Sequence, residues 1–163
     1  MKNFEVTKIS EPEQWLIDAA ADIGLDISGF THEVTNSFIT HVLKQHGNEK
    51  NEKSRGQLAV TQTDIAKIPG IVKYPDYTII GIKRDNETLI AYLKKYENCS
   101  VIYYEEVLSG KKNKALRNKT MFIKNCNITN EAFINITENH SHVDTSEVKK
   151  VVGAGGHPDG GTQ

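Results

Sequence analysis

Long apolar runs are missing from this chain, and that absence narrows its class. No stretch approaches the roughly 18 residues of a membrane span, and Met1-Lys2-Asn3-Phe4-Glu5 lacks the apolar core of a signal peptide. Cysteine is scarce: Cys99 and Cys126 are the pair, far apart and outside metal-ligand spacing. They read as reduced thiols of a cytosolic protein, with a disulfide as the alternative. Gly-x-Ser-x-Gly is absent, no cysteine sits in an activating context, and no phosphate-binding loop opens a helix. The glycines of Val152-Gly153-Ala154-Gly155-Gly156 follow no expected strand and precede no expected helix, so they do not read as a nucleotide loop. Internal repeats are absent too.

What is present is an ordinary globular composition, 37% hydrophobic and 25% charged over 163 residues, which fits one domain with one core. The net charge of −1 conceals an uneven distribution. Residues 1–43 carry 2 Lys/Arg against 7 Asp/Glu, residues 44–124 carry 16 against 9, and residues 125–163 carry 2 against 5. A basic middle between acidic ends suggests a phosphate-facing surface. Lysines that only solubilise a sheet would give the same pattern.

Ser10, Pro12 and Glu13 form a helix start, and Trp15, Leu16, Ala19, Ala20 and Ile23 recur at helical spacing, predicting a helix over residues 11–24. After Ser28-Gly29, a second helix is expected from about Thr31 to Gly47, with Val34, Phe38, Ile39, Val42 and Leu43 as its apolar stripe. His46 falls near the centre of that stripe but at the helix end. His41 lies on its flank. Gly47 suits a left-handed C-terminal cap. Thr61-Gln62-Thr63-Asp64 caps a further short helix, which Pro69-Gly70 ends.

From Tyr77 the period changes from 3.6 to 2. Tyr77–Lys83, Thr88–Tyr96, Ser100–Leu108 and Leu116–Lys124 read as strands, and their short polar connectors favour an antiparallel meander. Met121 and Ile123 are expected to face inward, which leaves Thr120 outward. A last short element is expected around Glu131–Ile136. The predicted organisation is an arm and helix over 1–30, an α+β domain over 31–137, and a flexible glycine-rich tail over 138–163.

Metal-site readings are weak. His140-Ser141-His142 has no helpful carboxylate or cysteine nearby, and His41 and His46 are five apart rather than four. RNA cleavage needs no metal. A base takes the 2′-OH proton, cations stabilise the phosphorane, and an acid protonates the leaving 5′-oxygen. Histidine suits both proton roles near neutral pH, and lysine and arginine suit the cation role. Tyr92, Tyr96, Tyr103 and Tyr104 offer stacking surfaces for unpaired bases. A histidine on an apolar helix face is otherwise a structural residue.

Several short motifs point to one family: His41-Val42-Leu43-Lys44-Gln45-His46-Gly47, Arg55-Gly56-Gln57-Leu58-Ala59-Val60-Thr61, Asp64-Ile65, Ile68-Pro69, Ile71-Val72, Pro75-Asp76, Tyr103-Tyr104-Glu105-Glu106-Val107 and Lys119-Thr120-Met121-Phe122. Together they resemble the phage-borne nucleases of the barnase–EndoU–colicin–RelE fold, found as C-terminal toxin domains of phage head-morphogenesis-type proteins. The resemblance covers about residues 31–125. It implies an α+β fold with N-terminal helices packed on a four-stranded antiparallel β-sheet, and RNA cleavage to a 2′,3′-cyclic phosphate with no metal or other cofactor.

Carried over by position, His41 and His46 match the paired helix histidines, and Thr120 matches the polar residue of the last strand. Lys94 and Glu106 fit the strand positions of a cation and an acid, with Lys95 as the alternative to Lys94. One of His41 and His46 is expected as acid or base, Lys94 and Arg117 as phosphate cations, and Thr120 as a phosphate donor. Arg55, Lys95, Arg117 and Lys119 are expected to bind substrate. The implied partners are RNA, with tRNA among the candidates, and an immunity or antitoxin protein, in the cytoplasm of a bacterial cell and away from membranes. The competing reading is a non-catalytic RNA- or protein-binding module of a phage protein. The acidic first helix and the glycine-rich tail depart from the family pattern.

Overall fold

The computed structural model describes residues 5–54, 56–140 and 142–153. Among them a single mixed sheet of nine strands organises the chain, with short helices on both faces. The expected helices on a four-stranded antiparallel sheet are therefore corrected. The four strands read from the period-2 segment are its middle: β4 (Tyr77–Arg84), β5 (Glu87–Lys95), β6 (Ser100–Gly110) and β7 (Asn113–Lys124), all antiparallel. The others come from segments whose patterning pointed elsewhere.

Val6–Ser10, expected as an arm, forms β1 and pairs antiparallel with β2 (Thr31–Thr35). β2 pairs parallel with β7. Its sequence, Thr-His-Glu-Val-Thr, is rich in β-branched residues, yet it adjoins a helical stripe and reads as that helix's first turn. The two-residue β3 (Gln57–Leu58) pairs with the far end of β7. At the other edge, β8 (Val143–Asp144) and β9 (Lys149–Val152) both pair with β4.

One face buries α1 (Gln14–Ala21), α2 (Asn36–His46) and α5 (Ile68–Lys73). Leu16 and Ala20, Phe38 and Val42, and Ile68 and Ile71 pack there with Ile80, Ile90, Tyr92, Tyr103 and Met121. The short α3 (Glu49–Ser54) and α4 (Gln62–Ile65) fill the connection between α2 and α5. Thr61 and Asp64 close a reciprocal capping box on α4. On the opposite face Phe133 of α6 (Asn130–Glu138) packs with Tyr77, Ile79, Leu89, Ile102 and Phe122. Burial on both faces explains why apolar residues occupy both sides of these strands, as in Leu89-Ile90-Ala91-Tyr92-Leu93 of β5.

Two glycines are fixed by close approach. Gly81 has φ +93° and forms the irregularity between Ile80 and Ile82 of β4, and a Cβ there would meet Ile23 Cδ1 at 2.6 Å. Gly47 ends α2, but at φ −94° it is not left-handed. Glycine is needed there because a Cβ would lie 2.2 Å from the Leu43 carbonyl oxygen. No helix among the described residues is long and apolar enough to cross a membrane.

Candidate active site

α2 sits where the sheet leaves an edge uncovered. β2 pairs with β7 only over Ala115–Arg117, and β3 only over Ile123–Lys124. Among the described residues the intervening edge of β7 has no strand partner, and α2 packs along it. Thr35 fixes where the helix begins. Its hydroxyl accepts from the Phe38 N–H at 3.1 Å, and its own N–H donates to Asn118 Oδ1 of β7 at 2.8 Å. Phe38 then packs edge-on to Tyr103, ring centroids 6.2 Å apart. With Phe38 and Val42 anchored, His41 is left exposed at the sheet edge.

A β-bulge brings the strand residues to meet it. Glu105 pairs with Asn118 and Tyr104 with Thr120, so Lys119 is an extra residue in β7. Adjacent strand residues normally face opposite sides. Here Lys119 and Thr120 line one cavity of about 280 Å³, together with His41, Arg84, Tyr104 and His140, over an apolar floor of Ile82, Leu89 and Val143. A shallower depression of about 330 Å³ continues it past His41 and Lys119 to Glu106, Arg117 and Ser37. The two share His41 and Lys119 and form one cleft.

The cleft's charges are already interlinked. Glu87 accepts from Lys119 and, at 3.1 Å, from Arg84 Nη2. Lys119 Nζ also lies 3.7 Å from Glu106 Oε1. Burial opposes ionisation of Glu87, but the hydrogen bonds from Lys119 and Arg84 outweigh it and hold the carboxyl below the usual range. Burial pushes the Tyr104 hydroxyl up, and burial followed by the Arg84 guanidinium holds the His140 imidazole down. Arg117 reaches the cleft but is engaged by Glu33, with Nη2 at 2.8 Å from Oε1.

Of the residues singled out in the sequence, His41, Glu106, Arg117, Lys119 and Thr120 come together. His46 does not. It lies five residues further along α2, about 7.5 Å of axial rise. Its Nδ1 is 3.2 Å from the buried Glu52 carboxylate, and its ring rests 6.0 Å from Phe122. Lys94 pairs with Val101, whereas Glu106 pairs with Leu89. Five strand residues separate the two, about 17 Å. Lys94 donates to the Tyr74 carbonyl at 2.7 Å, and the Lys95 backbone N–H donates to Asp76. Arg55 lies outside the described residues.

This arrangement fits one known group of proteins. The family model for phage-Barnase-EndoU-ColicinE5/D-RelE like nuclease3 matches residues 11–131. The chain belongs to this nuclease family. Neither a curated protein nor a solved structure matches it significantly. The family match takes in α2 and β4 to β7 but stops just inside α6, so His140 and Val143, on the cavity wall of this nuclease, lie beyond it.

Sequence reasoning missed three features of the nuclease. Arg84 and Glu87 were read only as a polar connector, although an Arg and a Glu three apart across a tight turn are positioned to pair. His140 stands in a His-Ser-His pattern whose local signal suggests only a metal motif. In the interior, His32 Nδ1 lies 2.7 Å from Glu105 Oε2, and the Tyr92 hydroxyl donates to Oε1 at 2.6 Å, all three side chains buried. The Glu105-Glu106 pair carried a signal for this, since strand alternation must turn one of two adjacent acids inward. The tyrosines read as stacking surfaces serve the core instead, with Tyr92, Tyr103 and Tyr104 all buried. Among the described residues, no three His, Cys, Asp or Glu side chains converge as metal ligands would.

Proposed function

We propose that the chain is an endoribonuclease that cleaves RNA by attack of a 2′-oxygen on the adjacent phosphorus, without a metal ion, and leaves a 2′,3′-cyclic phosphate. The observation that carries this reading is the convergence of His41, Lys119 and Thr120 on one cavity. An imidazole supplies a group able to move a proton near neutral pH. An ammonium supplies charge for the phosphorane, and a hydroxyl supplies a donor to a non-bridging oxygen. Glu106 is held near Lys119 and orients it. Arg117 extends the cationic surface toward a neighbouring phosphate once RNA competes with Glu33. The substrate is a single-stranded or looped RNA, tRNA among the candidates, in a bacterial cytoplasm, with an immunity or antitoxin protein as partner.

The ion pairs that already engage Lys119 and Arg84 favour a second reading, a binding module for RNA or protein whose cleft is neutralised. Incubation of the purified chain with total tRNA and with an unstructured RNA, both in EDTA, separates the two. Cleavage that survives the chelator and disappears in His41→Ala supports the ribonuclease. Salt-dependent RNA binding without any cleavage supports the module.

A further inference from the structure

The part of the chain beyond the family match is not a bystander to the cleft. α6 ends at Glu138, and five residues later Val143 pairs with Arg84 on β4. That short return is fixed at both ends. Phe133 anchors α6 in the core, and the Asn139 N–H caps it on the Asn135 carbonyl at 3.0 Å. His142 follows with φ 62°, a left-handed turn residue. His140 therefore lines the cavity that His41, Lys119 and Thr120 line from the opposite elements. Its ring packs edge-on to Tyr104, centroids 5.9 Å apart, and its surface stays open to solvent.

Cleavage by a 2′-oxygen needs two proton carriers, one on each side of the phosphorus. The helix supplies one, His41, because His46 is turned to Glu52 and Phe122. We propose that His140 is the second proton-carrying residue of the site and serves as the base to His41's acid, an inference that rests on the ribonuclease reading. His140 takes the proton of the 2′-OH as the 2′-oxygen forms its bond to phosphorus. The bond from phosphorus to the 5′-oxygen breaks, its electron pair stays on that oxygen, and the His41 imidazolium protonates it. Water hydrolysis of the cyclic phosphate, where it occurs, returns both protons. The division of labour follows from surroundings. The charged and titratable groups of the cavity are Arg84 from β4, with Glu87 of β5 paired to it, Tyr104 from β6, Lys119 from β7 and His41 from α2. Partial burial, and after it the Arg84 guanidinium, keep His140 neutral to lower pH than an ordinary histidine, as a base requires.

The test uses the full chain as wild type, His140→Ala and His41→Ala, on an oligonucleotide with one ribouridine and on uridine 3′-(p-nitrophenyl phosphate), whose leaving group needs no proton. His140→Ala should lower kcat about 10²–10⁴-fold on both substrates. It should also erase the acidic limb of the kcat/KM pH profile. His41→Ala should lose as much on the oligonucleotide but little on the nitrophenyl ester. His140→Ala with wild-type rate and both limbs, beside an inactive His41→Ala, overturns this inference alone. An inactive wild type overturns the ribonuclease reading with it. Proton NMR of the wild-type histidine rings with uridine 3′-monophosphate gives a second readout, independent of variant folding. His140 and His41 should shift together, and an unmoved His140 contradicts the proposal.

Discussion

Replacing each histidine of α2 by alanine should separate chemistry from stability on a single helix. His41 is exposed and makes no hydrogen bond or ion pair among the described residues. Its removal should leave the unfolding free energy within about 0.5 kcal/mol of wild type. A general acid contributes about 10²–10⁴ in rate, so the same change should raise the barrier to RNA cleavage by about 2.7–5.4 kcal/mol. His46 is arranged the other way. It is 19% exposed, sits 3.2 Å from a fully buried carboxylate and covers Phe122. A hydrogen bond to a charged buried group is worth about 1.5–3 kcal/mol, and His46→Ala should cost about that much stability. Its kcat under folding conditions should stay within a few-fold of wild type. Urea midpoints and single-turnover cleavage of a fluorescent RNA give both axes. A His46→Ala variant that folds stably but cannot cleave, beside an active His41→Ala, would refute the placement of the chemistry at the β7 bulge.

Other perturbations probe the supports of the cleft. Glu105→Ala removes the acceptor shared by buried His32 and Tyr92 and should cost about 3–5 kcal/mol in urea unfolding, whereas a loss under 1 kcal/mol would show that the network is not taut. Gly81→Ala forces a side chain to φ +93° against Ile23 and should cost about 1–3 kcal/mol, seen as a fall of several degrees in Tm; an unchanged Tm would contradict the close approach. Glu87→Gln releases Lys119 and Arg84 for phosphate and should lower KM for RNA severalfold, while a raised KM would assign Glu87 to substrate positioning. The Glu87 carboxyl is held below the usual range. The stability it contributes is therefore complete above the ordinary carboxylate pKa and is lost as pH falls through the lower folded value.

The legible parts of this protein are those whose signal is local. Strands β4 to β7 announce themselves by period and by short connectors, and α2 by its stripe of Phe38 and Val42. His41 and Thr120, which both line the cavity, each stand in a short recognisable motif. Long-range pairing was not legible. Nothing within Thr31–Thr35 says that it will lie parallel to β7, because the partner strand is some eighty residues away. The facing of β7 was hidden for a related reason. Met121 and Ile123 do turn to the helical core as expected, but Phe122 packs in a second core on the opposite face and Thr120 lines the cleft. The bulge at Lys119 defeats any alternation count that runs through it, and so Lys119 rather than Lys94 stands beside His41. His140 was hidden by a composition bias. Its neighbours are polar and the chain beyond is glycine-rich, although Val143 and Lys149–Val152 join the sheet.

The central claim is that the cleft between α2 and the β7 bulge cuts RNA through protein side chains. Purified chain should be incubated with a defined RNA in excess EDTA, and the products resolved by mass. The account predicts fragments ending in a 2′,3′-cyclic phosphate from the wild type and intact RNA from His41→Ala. Cleavage that stops with EDTA, or fragments carrying an unlinked 3′-hydroxyl, would contradict it.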